Sequence, residues 1–116
     1  MIEIDLLNFL TSTFEGVDVL TEVQPKTAPE TYILIEKVGS SRTNHLEFPI
    51  VNIKTVSTTM AKAATLGEQV KQALETLQGY KGIASASINS SYNDANTATK
   101  EYRYCTVVQF TYYTEY

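Results

Sequence analysis

Apolar positions recur first at a helical spacing. Leu6, Leu10 and Phe14 stand at i, i+4 and i+8 with Leu7 beside them, and Glu3 and Asp5 lie where the positive end of a helix dipole favours acids. This predicts an amphipathic helix over residues 2–14, ended near Gly16. The pattern then shortens to that of strands: V-D-V-L-T-E-V over Val17–Val23, and a β-rich run at Tyr32–Val38 bounded by Pro29 and Gly39. Between them Pro25 and Pro29 hold QPKTAPE extended, because each ring fixes φ and restrains the residue before it. Gly39–Asn44 (GSSRTN) reads as a polar turn, and His45–Val56 as a third strand. Pro49 has no N–H to give a ladder, so it implies an edge, a bulge or a position facing away from a partner.

From Met60 the small or apolar positions are Ala63, Ala64, Gly67, Val70, Ala73, Leu74 and Leu77, one stripe with Lys62, Glu68, Lys71 and Glu75 outside it. A second helix is expected here, capped by Ser57, Thr58 or Thr59 and ended at Gly79. Its narrow first half, with Ala63, Ala64 and Gly67, suits a close approach to a sheet. Ile83–Tyr92 and Lys100–Glu115 read as two further strands joined by NDANTAT. The last strand would show Tyr102, Tyr104, Thr106, Val108, Phe110 and Tyr112 on one face, and Cys105, Val107, Gln109, Thr111 and Tyr113 on the other. Apolar groups on both faces imply a central strand covered twice, or one whose second face meets another subunit.

The expected fold is thus one α+β domain over residues 1–116, in the order α-β-β-β-α-β-β. Its mixed, mostly antiparallel sheet has the strand order 1-2-3-5-4, with helices packed mainly on one face. The link from the third strand through the second helix is a crossover, right-handed if both of its strands join one sheet. A chain of 116 residues suits one core.

Composition narrows the chemistry. Charged residues make up 19% of the chain, and polarity comes mainly from Ser, Thr and Asn. A formal charge of −4 without any basic run argues against a grip on nucleic acid, which draws its strength from clustered Lys and Arg. One cysteine, Cys105, forms no internal disulfide and fits a reducing compartment. MIEIDLLNFL lacks the basic start of a signal peptide, and no apolar run approaches a membrane span, so a soluble, unexported chain without membrane contact is expected.

Catalytic and metal-binding patterns are sparse. His45 is the single histidine, sharing a strand with Glu47, and two groups are too few for a metal site. Cys105 lies mid-strand between Tyr104 and Thr106, and nothing in the sequence supplies the electropositive, partly exposed setting and aligned base that a nucleophilic cysteine needs. Gly16, Gly39, Gly67, Gly79 and Gly82 never cluster into a phosphate loop. Glu30, Glu36, Asp94 and Glu101 are scattered and read as surface acids. No enzyme activity, cofactor or metal is expected.

Three stretches together carry a resemblance: VDVLTEVQPKTAPETYILIEKVG, then PIVNIKTVSTTMAKAATLGEQVKQAL, then SSYNDANTATKEYRYCTVVQFTYY. The middle one is the most specific, a strand ending in a polar turn and then a helix whose alanines and leucines precede V-K-x-A-L. In spacing and flavour the chain resembles the tail terminator, or tail completion, proteins of long non-contractile phage tails, including the minor capsid proteins of prophages. The resemblance implies a virion structural protein of the tail, assembled in the cytoplasm of the bacterial host. Such a protein forms a homohexameric ring on the tail tube, stops tube polymerisation and offers the head-tail joining surface. Its partners would be copies of itself, the major tail tube protein and the head–tail connector protein. DNA would pass through the ring without specific binding, and an acidic ring would repel its phosphates.

Candidate interface residues follow from composition. Ser40, Ser41, Arg42, Thr43 and Asn44 form one polar segment in which Arg42 is the strong charge, and Asn93, Asp94 and Asn96 belong to the other. Tyr112, Tyr113 and Tyr116 crowd the C-terminal end, and exposed tyrosines suit a protein contact. Unpaired strand edges add backbone hydrogen bonds to that list. A small-ligand-binding regulatory α+β domain, with a pocket between helix and sheet or at a dimer interface, stands as the alternative, and a minimal enzyme with an atypical site as a third.

Overall fold

A computed structural model of the chain describes residues 2–21, 30–43, 46–77, 80, 83–93 and 102–113. Helix α1 (Ile2–Thr13) buries Ile2, Leu6 and Leu10 along one stripe. Gly16 then takes φ 82°, the left-handed region that an L side chain rarely adopts, and turns the chain out of the helix. Strand β1 (Asp18–Leu20) follows, then β2 (Tyr32–Gly39), β3 (Arg42–Thr43), β4 (Leu46–Glu47) and β5 (Ile50–Ser57). Helix α2 (Met60–Leu74) leads to β6 (Ile83–Asn93) and β7 (Tyr102–Tyr113).

The sheet has seven strands among the described residues, mostly antiparallel, with β1 parallel to β2. Several of these strands are pieces of longer ones. Glu47 faces Tyr112 and Ile50 faces Gln109, so the same number of residues separates them on both strands and β4–β5 is one strand interrupted at Phe48–Pro49. Phe110 N–H donates to the Pro49 carbonyl at 2.9 Å, which keeps the ladder closed where proline itself has no donor. Likewise Gly39 faces Ile50 and Arg42 faces Glu47, so β3 continues β2 beyond a bulge between Lys37 and Gly39. The physical order is therefore β1, β2–β3, β4–β5, β7, β6, which is the expected 1-2-3-5-4.

This corrects the polar turn expected at Gly39–Asn44. Ser41 accepts from Phe48 N–H at 2.8 Å, and Arg42 and Thr43 pair with Glu47 and Leu46. The strand persists because the bulge between Lys37 and Gly39 takes up the change of register and lets pairing resume. Asn44 and His45 lie outside the described residues.

Both helices pack on one face. Ile2, Leu6 and Leu10 of α1 and Leu66, Val70 and Leu74 of α2 share a core with Ile33, Ile35, Val51, Ile53, Val108, Phe110 and Tyr112. Thr59 caps α2, its side chain accepting from Lys62 N–H at 3.2 Å. The narrow stripe has its expected effect: a Cβ on Gly67 would stand 2.8 Å from the Tyr104 ring and 3.2 Å from Thr55 Oγ1. That hydroxyl donates to the Ala63 carbonyl at 2.9 Å, tying strand to helix at the closest approach. The helix ends earlier than Gly79. At Thr76 and Leu77 the backbone tightens to i→i+3 bonds, and the Thr76 hydroxyl also donates to the Ala73 carbonyl at 2.7 Å, competing for the helix's last acceptors. Gly79 lies outside the described residues, while Leu77 remains fully buried after the turn.

Candidate assembly surface

Cross-strand partners share a face, so the register sorts the side chains without ambiguity. Thr55, Ile53 and Val51 stand beside Tyr104, Thr106 and Val108 on the helix side. The opposite side carries Leu34, Glu36, Ile50, Asn52, Lys54, Arg103, Val107, Gln109, Thr111 and Tyr113, with Ser85, Ser87, Ser90 and Tyr92 from β6. No helix of the described residues packs on this side. It mixes half-buried aliphatic groups, the tyrosines Tyr92 and Tyr113 at 45% and 50% exposure, and a Glu36–Lys54 ion pair at 2.9 Å. Cys105 sits on the same side, fully buried between Lys54 and Tyr92 of the neighbouring strands.

At the β3–β4 end the polar groups converge on one carboxylate. Glu47 Oε2 accepts from the Lys37 ammonium at 3.0 Å and from the Ser40 hydroxyl at 2.6 Å, and Arg42 stands 3.9 Å from Oε1. The Ser40 and Lys37 hydrogen bonds, followed by the charges of Lys37 and Arg42, hold this carboxyl below the usual carboxylate range against the opposing effect of burial. Arg42 was expected as a lone anchor in an uncharged loop; its guanidinium instead leans toward Glu47, with a 67% exposed side chain.

The candidate residues divide between two ends of the sheet. Ser40, Ser41, Arg42 and Thr43 are exposed at one end; Tyr113 lies at the same end, one strand beyond and across from Leu46, where it shares a face with Thr43 but not with Arg42. Asn93 is exposed at the other end, opposite Tyr104. Asn44, Asp94, Asn96 and Tyr116 lie outside the described residues. Tyr112 corrects the expectation of exposed C-terminal tyrosines: it is 4% exposed, points to the helix side, and its hydroxyl donates to the Asp5 carboxylate of α1. Period two forces this split, since Tyr112 and Tyr113 must point to opposite faces.

Sequence reasoning missed two ion pairs on opposite faces of the sheet: Lys37–Glu47, in line with Val51 and Tyr112 on the helix side, and Glu36–Lys54 on the open side. The signal was the register: once Thr43 pairs with Leu46, every partner back to Glu36–Asn52 follows when the bulge is counted. A second feature is an open cleft of about 350 Å³ between the first turns of α2 and the sheet, lined by Thr31, Ser57, Ala61, Lys62, Thr65, Leu66 and Gln69. Thr31 and Ser57 hydroxyls lie 3.0 Å apart at its floor. Among the described residues no three His, Cys, Asp or Glu side chains gather as metal ligands, and no helix is long and apolar enough to cross a membrane.

Compared with protein-family models and with curated proteins, the chain matches none.

Proposed function

We propose that this chain is a structural subunit of a phage tail that assembles as a hexameric ring on the tail tube, stops tube growth and offers the surface on which the head connector docks. The observation that carries the reading is the two-sided sheet. One face is closed by both helices, whereas the other presents Leu34, Ile50, Val107, Tyr92 and Tyr113 without a helix above them among the described residues. Mixed apolar, tyrosine and paired-charge surface of this kind suits a partner that is itself a folded protein. The resemblance to tail terminators supplies the identity of that partner, and the negative chain suits a channel through which DNA passes without adhering. Incubating the chain with growing tail tubes tests the reading by electron microscopy. Tubes of fixed length carrying a ring at one end are expected; unaltered elongation with bare ends rejects it.

The cleft beside α2 favours a second reading, a small-ligand-binding domain. Lys62 and Gln69 with the Thr31, Ser57 and Thr65 hydroxyls would hold a small polar molecule against Leu66. That reading predicts a rise in Tm with one compound of a metabolite panel, lost in Leu66→Arg, and no ring.

A further inference from the structure

Among the described residues the sheet has two open edges. On one side β1 covers only Tyr32–Leu34 of β2, so the stretch from Ile35 through β3 to Thr43 has no strand beside it among the described residues. On the other side β6 pairs with β7 alone among the described residues, which leaves its outer edge open there from Ser85 to Ser91. Natural edges are guarded by charge, proline or bulges. The whole of β6, IASASINSSYN, contains neither charge nor proline, and between its two bulges the run Ser85–Ile88 is regular, uncharged and mostly exposed. The opposite edge does carry charges, but each is tied across its own sheet: Glu36 to Lys54 at 2.9 Å, Lys37 to Glu47 at 3.0 Å, Arg42 to Glu47 at 3.9 Å.

The two edges also match in height and direction. Paired positions run in rows across the sheet: Ile35, Ile53, Thr106 and Ser91; Gly39, Ile50, Gln109 and Ser87; Arg42, Glu47, Tyr112 and Ile83. The open stretch of β2–β3 therefore spans the same rows as the open stretch of β6. Since β2, β5, β7 and β6 alternate in direction, β6 runs antiparallel to β2. A second copy turned about an axis along the strands, without any rise, meets β6 with its own β2–β3 edge already antiparallel and level. A contact between two different patches closes a ring when it involves rotation and no rise.

We propose that β6 of one copy adds to the β2–β3 edge of the next, so that the sheet runs on from subunit to subunit. This rests on the reading of the chain as a self-assembling subunit, and it names the join. The partner surface is a second copy's Lys37–Arg42 stretch lying against Ser85–Ile88. Both end residues of the central row accept a probe: Ser87 is exposed, and a Cβ on Gly39 meets nothing within 4 Å. The native Cys105 is buried and stays silent under mild oxidation.

Gly39→Cys, Ser87→Cys and the double variant test the join under mild oxidation, with native mass spectrometry of the reduced samples reporting assembly separately. Each variant is first matched to the parent in Tm. The expected result is a ladder of disulfide-linked multimers in the double variant and none in either single variant. Linked dimers in Ser87→Cys alone mean that β6 pairs with β6 and overturn the proposal. Reduced rings that give no ladder in the double variant overturn the join and leave the assembly reading standing. Monomers in every reduced sample, with tail tube present or absent, overturn both.

Discussion

Strand β7 belongs to two different environments at once. Its even positions Thr106, Val108, Phe110 and Tyr112 are all buried beneath the helices, and its odd positions include Val107, Gln109, Thr111 and Tyr113, which are half-buried or exposed. Side-chain chemistry alone does not separate the two rows, since valine, threonine and tyrosine occur in both. What separates them is coverage: α1 and α2 supply Leu6, Leu10, Leu66, Val70 and Leu74 to one side only. The helix side holds the fold together by removing apolar area from water, about 25 cal/mol per Å². The other side contributes less to stability and leaves polar and apolar groups available to a neighbour.

That contrast breaks first under large truncations. Phe110→Ala, at a fully buried site, is expected to cost about 3–5 kcal/mol in urea denaturation. Val107→Ala, on the half-buried open side, is expected to cost about 1 kcal/mol or less. Equal costs would mean that the open side is as well packed as the helix side. Gly67→Leu comes next. Its side chain has no room between α2, Tyr104 and Thr55, so a loss of about 1–3 kcal/mol is expected, with Tyr104 displaced; an unchanged midpoint would refute the close approach.

Charges on the open side sharpen the comparison. Tyr92→Asp with Tyr113→Asp should leave stability within about 1 kcal/mol of the parent, because both rings are about half exposed, while abolishing attachment to the tail tube. Glu47 supplies the smallest effect. Its carboxyl is held below its ordinary value by Ser40 and Lys37, so the stability it contributes is present above the unfolded-state value and is lost as pH falls through the folded-state value. The parent should therefore lose more stability in acid than Glu47→Gln does. At neutral pH the variant should be weaker by less than about 1 kcal/mol, since the bridges lie at the surface. Parallel pH curves for the two proteins would remove the role assigned to this carboxylate.

Much of the fold was legible from local rules. The Leu6–Leu10 stripe, the Ala63–Gly67 narrowing and the alternation along β7 each follow from a period that one segment contains by itself, and all three appear as expected. Register was less legible because it is set between segments. The bulge after Lys37 converts a polar run that looked like a turn into more strand, and nothing within GSSRTN announces it. The end of α2 was misjudged for a related reason: Leu77 keeps the apolar stripe going, although the Thr76 hydroxyl and the tightened turn have already ended the helix. The assembly surface was the least legible. Its members come from four strands, and only the completed sheet shows that Tyr113 belongs to it and Tyr112 does not.

Sedimentation of the parent beside the Tyr92→Asp, Tyr113→Asp variant, over a concentration series with and without tail tube, tests the division of labour between the two faces most directly. The parent should co-sediment with tail tube and the variant should not, with the same Tm for both. A variant that still binds the tube, or a parent that never binds it, would contradict it.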